Sequence, residues 1–152
     1  MTDFIPQNSP GKPHLELRCQ VDMTLLGLLR DFVCTVARRL QFTEQQVAEI
    51  EISVDEACAN AMEHAYAQGA LGQTDVQVEL YLSAEFMKIR ITDRGTGTPD
   101  FDVPMSMDSY LDKTREKYRG LGLVLMRKFM DDVQIIAVPG SGTTVEMTKL
   151  RH

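Results

Sequence analysis

Glu56, Asn60 and His64 recur at intervals of four within VDEACANAMEHAY, residues 54–66. Four residues is about one α-helical turn, so the three side chains project along one side of a helix. Asn is a poor helix-interior residue, because its amide competes with the backbone for hydrogen bonds. The pattern makes more sense as chemistry. A carboxylate can take a proton from a hydroxyl or water, and an amide oxygen one turn on can serve as a ligand for a hard cation. Further along, Asp93 precedes Gly95 and Gly97, Gly120 and Gly122 flank Leu121, and Gly142 precedes Thr143 and Thr144. Glycines after an acceptor let a ligand approach the backbone without a Cβ in the way. A Gly-x-Gly at a helix start presents backbone N–H groups where the helix dipole favours an anion. Each feature alone has an ordinary explanation: a solvated helix face, a turn, a tight helix start, a hairpin end. Their combination, in this order, is much harder to obtain by chance.

The surrounding pattern says which elements carry these residues. LELRCQV, residues 15–21, alternates like a half-buried strand, and helical spacing follows from Thr24 to Leu40. Thr43 with Gln46 three residues later forms a capping box that opens a second helix, running to about Tyr66. At roughly 100° per residue, Val47, Ile50, Val54, Ala57, Ala61 and Ala65 share one face of it. Glu49, Ser53, Glu56, Asn60 and Glu63 fall opposite, with His64 at the margin. AQGALGQ is a loop, VQVELYL (76–82) and MKIRITD (87–93) form a hairpin about SAEF, and Asp93 closes its second strand. The long connection from Arg94 to Gly120 is rich in Gly and Pro at its start and basic at its end, and such connections are usually functional. A helix with Leu121, Val124, Leu125 and Phe129 follows, then VQIIAV (133–138), a PGSG turn and TTVEMTKL (143–150) as a second hairpin. This order predicts an α+β fold, a two-layer sandwich with a mostly antiparallel mixed sheet and helices on one face.

Bulk properties narrow the class. A chain of 152 residues fits one domain, with residues 1–14 a Pro-rich, polar tail and 15–152 the folded unit. The net charge of −6, with both signs interspersed, argues against a direct nucleic-acid binder. No apolar run approaches the ~20 residues of a membrane span, and the N-terminus lacks an export signal, so a cytoplasmic location is expected. Cys19, Cys34 and Cys58 lie in apolar-patterned segments and read as buried thiols. There is no GxxxxGK[ST], and Leu125 stands where GxGxxG needs its third glycine, which disfavours P-loop and dinucleotide folds.

The set E-x-x-x-N-x-x-x-H, D-x-G-x-G, G-x-G and G-T resembles the N, G1, G2 and G3 boxes of the GHKL superfamily, which includes gyrase, histidine kinases and mismatch-repair ATPases. The small size, and the wording EACANAMEHAY, RGLGLVLMRKFMDDV and GTTVEM, is similar to the anti-sigma factor serine kinases. The resemblance covers roughly residues 15–150 and implies a Bergerat ATP-binding fold that takes ATP and Mg2+. It implies Asn60 as the metal ligand, Glu56 as the base for an attacking hydroxyl, and His64 beside the nucleotide. Asp93 would read the adenine amino group, with Gly95 and Gly97 under the base. Gly120, Leu121, Gly122 and Leu123 would meet phosphate, and Thr143 or Thr144 would complete the adenine pocket. The connection at about 98–119 becomes an ATP lid in which Lys113, Arg115, Lys117 or Arg119 reaches the γ-phosphate. Arg119 is the favoured one, although the family's basic residue often stands two before the first glycine, where this chain has Tyr118. The resemblance further implies a homodimer that phosphorylates a STAS-type anti-sigma factor antagonist on serine or threonine and sequesters a sigma factor. The alternative is a nucleotide-binding anti-sigma or adaptor module with weak or no kinase activity. A detached histidine-kinase ATPase domain is disfavoured, because no segment offers a phosphoacceptor histidine on a dimerising hairpin.

Overall fold

The computed structural model describes residues 11–67, 75–94, 119–138 and 142–151. In chain order these form β1 (Leu15–Gln20), a 3-10 turn (Met23–Leu25), α1 (Leu26–Arg39), α2 (Glu44–Ala67), β2 (Asp75–Leu82), β3 (Phe86–Asp93), α3 (Arg119–Phe129), β4 (Asp132–Val138) and β5 (Gly142–Leu150). The strands form one sheet in the order β1-β2-β3-β5-β4. Every pairing among them is antiparallel, so the mixed character expected from sequence is absent among the described strands. The reason is topological: two hairpins, β2–β3 and β4–β5, join edge to edge through β3 and β5, and no parallel crossover is needed.

Strict alternation along the strands sorts their residues onto two faces. Val76, Val78, Leu80 and Leu82 on β2, and Met87, Ile89 and Ile91 on β3, are buried toward the helices. On β5 the same face carries Thr143, Val145, Met147 and Lys149. Polar residues thus interrupt this core at its two ends: Asp93 with Thr143 at one, Lys149 at the other. The opposite face is polar and is tied together by Arg90. Its guanidinium donates to Glu146 Oε2 at 2.8 and 3.0 Å and lies 5.1 Å from the Tyr81 ring centre.

α2 is the central helix, packed on the sheet with α1 and α3 on either side. Val47, Ile50, Val54, Ala57 and Ala61 are buried as the periodicity requires. The polar side of α2 is not an ordinary solvated face. Ser53 is 0 % exposed and its hydroxyl donates to the Glu49 carbonyl at 2.8 Å. Glu56 and Asn60 are half-buried, and of this set Glu63 alone is exposed among side chains the structure describes. The cause is α3, which covers that side and gives α2 two buried faces. Among the thiols, Cys34 and Cys58 are buried and Cys19 is half-buried. Burial pushes the Cys58 thiol up to about 12, far from reactive.

The capping box closes at the start of α2. The Gln46 N–H donates to Thr43 Oγ1 at 3.1 Å, and Gln46 Oε1 accepts from the Thr43 N–H at 3.0 Å. Just before it, α1 ends on Gln41 at φ 64°, with the Phe42 N–H donating to the Ala37 carbonyl at 3.2 Å. Thr43→Ala is expected to lower stability by about 1 kcal/mol, read as a lower urea midpoint at unchanged m-value.

Candidate functional site

Glu56 and Asn60 face the N-terminal turn of α3, and the identity of residue 122 permits the approach. A Cβ on Gly122 would lie 2.7 Å from Glu56 Oε2, 3.4 Å from Glu56 Cβ and 3.5 Å from Asn60 Nδ2. Real Cβ atoms essentially never come within 3.0 Å of such a neighbour, so any side chain here displaces the carboxylate. Glycine therefore brings a helix start, with its unpaired N–H groups, beside a carboxylate and an amide.

A cleft opens between these helices and the sheet. It is lined by Ala57, Asn60 and Ala61 from α2, Ile91 and Asp93 from β3, Met126 from α3, Ile135 from β4, and Thr143 and Val145 from β5. Its empty volume is about 310 Å³, including space open to solvent. The two alanines, one turn apart, keep the α2 wall shallow. Its lining is mostly apolar, with Asn60, Asp93 and Thr143 as its polar members, and its closed part has room for about one water, roughly 10 Å³.

Asp93 is 4 % exposed, and its Oδ1 accepts from the Thr143 N–H at 3.4 Å. The pairing of Asp93 with Thr143 in the β3–β5 register fixes that contact. Gly142 is required beside it. Its φ is +113°, and an added Cβ would land on the Asp93 carbonyl oxygen. Alternation sends the two threonines to opposite faces of the sheet. Thr143 lines the cleft, whereas Thr144 Oγ1 sits 3.2 Å from Thr92 Oγ1 on the opposite face of the sheet. Thr144 therefore does not reach the cleft.

The Glu56 carboxyl is pushed above its ordinary value, chiefly by burial and further by the negative charges of Asp55 and Glu63. Asp55 is itself held by Arg30 from α1, at 3.4 Å. A partly desolvated carboxylate with a raised pKa is a better proton acceptor than a solvated one.

Other residues singled out in the sequence distribute as follows. Leu121 is half-buried on α3. Leu123 is 2 % exposed and its side chain is committed to the core, so it can offer a ligand its main chain only. His64 lies on α2, and Arg119 and Gly120 begin α3, but the side chains of His64 and Arg119 are outside the described structure. Gly95, Gly97 and the lid segment 98–118, with Lys113, Arg115 and Lys117, lie outside the described residues. Two features went unread in the sequence: the need for glycine at 142, and the inward-facing Lys149. The signal for the second was present, because Lys149 is in phase with Val145 and Met147.

The donor set fits a nucleotide better than a free-standing metal. Among the described residues no three His, Cys, Asp or Glu side chains converge as a cation cage. Asn60 offers one side-chain amide, so a cation held there would take its other ligands from phosphate and water, as Mg2+ commonly does.

Comparison with known proteins agrees with this geometry. A family model described as a histidine kinase-like ATPase domain matches residues 19–149. Serine-protein kinase RsbW of Bacillus pumilus is 32 % identical over 154 residues, covering 97 % of this chain and 85 % of its own. RsbW of Bacillus subtilis is 30 % identical over 142 residues, covering 90 % and 84 %. Anti-sigma F factor of a Thermoanaerobacter species is 30 % identical over 120 residues, covering 79 % and 81 %. Among solved structures, a chain of the SiaB–SiaC complex from Pseudomonas aeruginosa superposes with a TM-score of 0.59 at 10 % identity, covering 90 % of this chain and 89 % of that one, a likeness of fold.

Gly122→Ala tests the helix approach. The variant is expected to stay folded by circular dichroism, because the added methyl meets the movable end of a side chain first. Calorimetric affinity for Mg·ATP should fall about tenfold or more, a loss of at least ~1.4 kcal/mol, as Glu56 and Asn60 are pushed aside. Unchanged affinity would show that the helix start does not meet the nucleotide.

Proposed function

Because this chain belongs to the histidine kinase-like ATPase family, we propose that it is a Mg·ATP-dependent serine/threonine protein kinase acting in partner switching. The observation that carries the reading is the approach of Glu56 and Asn60 to the glycine-opened start of α3, with Asn60 also lining the cleft that holds the Asp93–Thr143 pair. In this reading the adenine lies over Ile91 and Val145, its amino group donates to Asp93, and Thr143 completes the rim. Phosphates lie along the N-terminus of α3. Asn60 holds Mg2+, which on binding with the nucleotide neutralises phosphate charge. Glu56 accepts the proton of the incoming serine or threonine hydroxyl, and its partial desolvation raises its basicity for that purpose. A lid cation, Arg119 foremost, stabilises the transferring phosphoryl group.

The protein substrate is a small anti-sigma factor antagonist of STAS type, and the second partner is a sigma factor, held by a cytoplasmic homodimer. The similarity to relatives named as a serine-protein kinase and as an anti-sigma factor supports both halves of this proposal. A second reading keeps the nucleotide and the partners but not the phosphotransfer. Tyr118, in the place where the family often has a basic residue, favours it.

Glu56 separates the two. Glu56→Gln is expected to bind ATP nearly as well as wild type and to phosphorylate a cognate antagonist about 10²–10⁴-fold more slowly, followed with γ-labelled ATP. Because the Glu56 pKa is raised, its base form is lost earlier on acidification than for an ordinary carboxylate. The acid limb of kcat should therefore lie above pH 4.5, the unperturbed value, and move to lower pH in Asp55→Asn, which removes one of the charges that raise it. A limb that ignores Asp55, or full activity in Glu56→Gln, would exclude Glu56 as the base.

Partner affinity provides the second measurement. Phosphorylation adds nearly two negative charges to the antagonist beside an acidic protein, which should expel it. Antagonist affinity, phosphorylated and not, is expected to differ between an ATP analogue and ADP by about 5–150-fold. Equal affinity in all four combinations would remove the switch.

A further inference from the structure

Lys149 is a buried cation that the chemistry above does not use. Its side chain is 8 % exposed, on the core-facing side of β5. The ammonium donates to Glu49 Oε2 on α2 and to the carbonyl oxygen of Phe129, the last residue of α3. Lys149 holds the Glu49 carboxyl below its usual range. A cation at a helix C-terminus also complements the dipole and satisfies an unpaired carbonyl. The anchorage is reinforced nearby. The Asp131 N–H donates to the Thr148 carbonyl at 2.9 Å, and Asp131 Oδ2 accepts from the Leu150 N–H at 2.7 Å.

The spacing connects this anchor to the cleft. Glu49 stands seven residues before Glu56, and Phe129 seven residues after Gly122. Seven residues is about two helical turns, or ~10 Å, and returns to nearly the same side of a helix. The two links, Glu49 through Lys149 to the end of α3 and Glu56 directly to its start, therefore lie along one antiparallel seam between α2 and α3. A slip of α3 by one residue, about 1.5 Å and 100°, would turn Leu121 or Leu123 toward Glu56, where not even a Cβ fits.

We infer that Lys149 is a positioning residue for the nucleotide site: by fastening the carbonyl end of α3 to Glu49, it sets the register in which Gly122 faces Glu56 and Asn60. This deepens the kinase reading and rests on the cleft being the nucleotide site. Lys149 touches neither nucleotide nor substrate and acts through α3.

The test replaces the ion pair by apolar side chains, Glu49→Leu with Lys149→Met, which removes the charges together and leaves the Phe129 carbonyl without its donor. Paired apolar replacement of this kind is often neutral for stability, and Lys149→Arg serves as a second variant should it unfold. The readouts are ADP affinity by calorimetry and the resonances of the Gly122 amide and the Asn60 side-chain amide in the full chain. Expected are displaced resonances, several-fold weaker ADP binding at retained melting temperature, and phosphotransfer slowed about 10²-fold. The affinity losses of the double variant and of Gly122→Ala should also fail to add, since both act at one contact. Wild-type resonances and ADP affinity in a stable variant would overturn the inference and leave Lys149 a purely structural cation. Absence of phosphotransfer in the wild type would remove the kinase reading instead, and the ADP and resonance measurements would still decide the register.

Discussion

The fit between α2 and α3 governs everything built on them. Helices normally pack 8–10 Å apart because side chains keep their backbones separate. At residue 122 there is none, and the start of α3 comes within Cβ distance of Glu56. That single absence brings three otherwise separate groups together: a carboxylate whose pKa is raised by burial, a side-chain amide, and the N–H groups of a helix start. It also explains why α2 tolerates polar residues on a second buried face. Ser53 turns back on its own helix, Glu49 pairs with Lys149, Glu56 meets the start of α3, and Asn60 opens into the cleft. Each polar group on that face has a partner or a use.

The sheet supplies the complementary half of the site through its register. Pairing of Asp93 with Thr143 brings a buried carboxylate and a hydroxyl residue to the same end of adjacent central strands. Gly142 turns the chain into β5 in a conformation other residues rarely adopt. The inward face of β5 then runs from Thr143 at the cleft to Lys149 at the anchor of α3. One strand thus touches the site directly at its start and supports it from its end.

Much of this was legible in the residues. The capping box at Thr43 and Gln46, the alternation of β2 and β3, and the order of elements all depend on local physics, and local physics is written in short windows. Family membership was legible because four spaced motifs coincide. What could not be read depends on packing between distant segments. A helical wheel of α2 separates apolar from polar residues, but it cannot say that α3 will cover the polar side. Alternation put Thr143 and Thr144 on opposite faces, yet only the burial of Val145 and Met147 under the helices says which face holds the cleft. Antiparallel pairing throughout followed from β5 joining β3, a long-range choice that no window reveals.

The placement of β5 has a consequence for how the molecule comes into being. It is the last strand in the chain, yet it lies inside the sheet, between β3 and β4. On the ribosome, β1, β2, β3 and the first two helices emerge with one edge of β3 bare. That edge stays open until residues 142–150 have been made. A bare strand edge is a template for unwanted pairing. Until β5 is in place, the part of the sheet that receives it is therefore open to association. Late, long-range strand insertion of this kind slows folding. The Asp93–Thr143 contact, which needs both strands, cannot form before then.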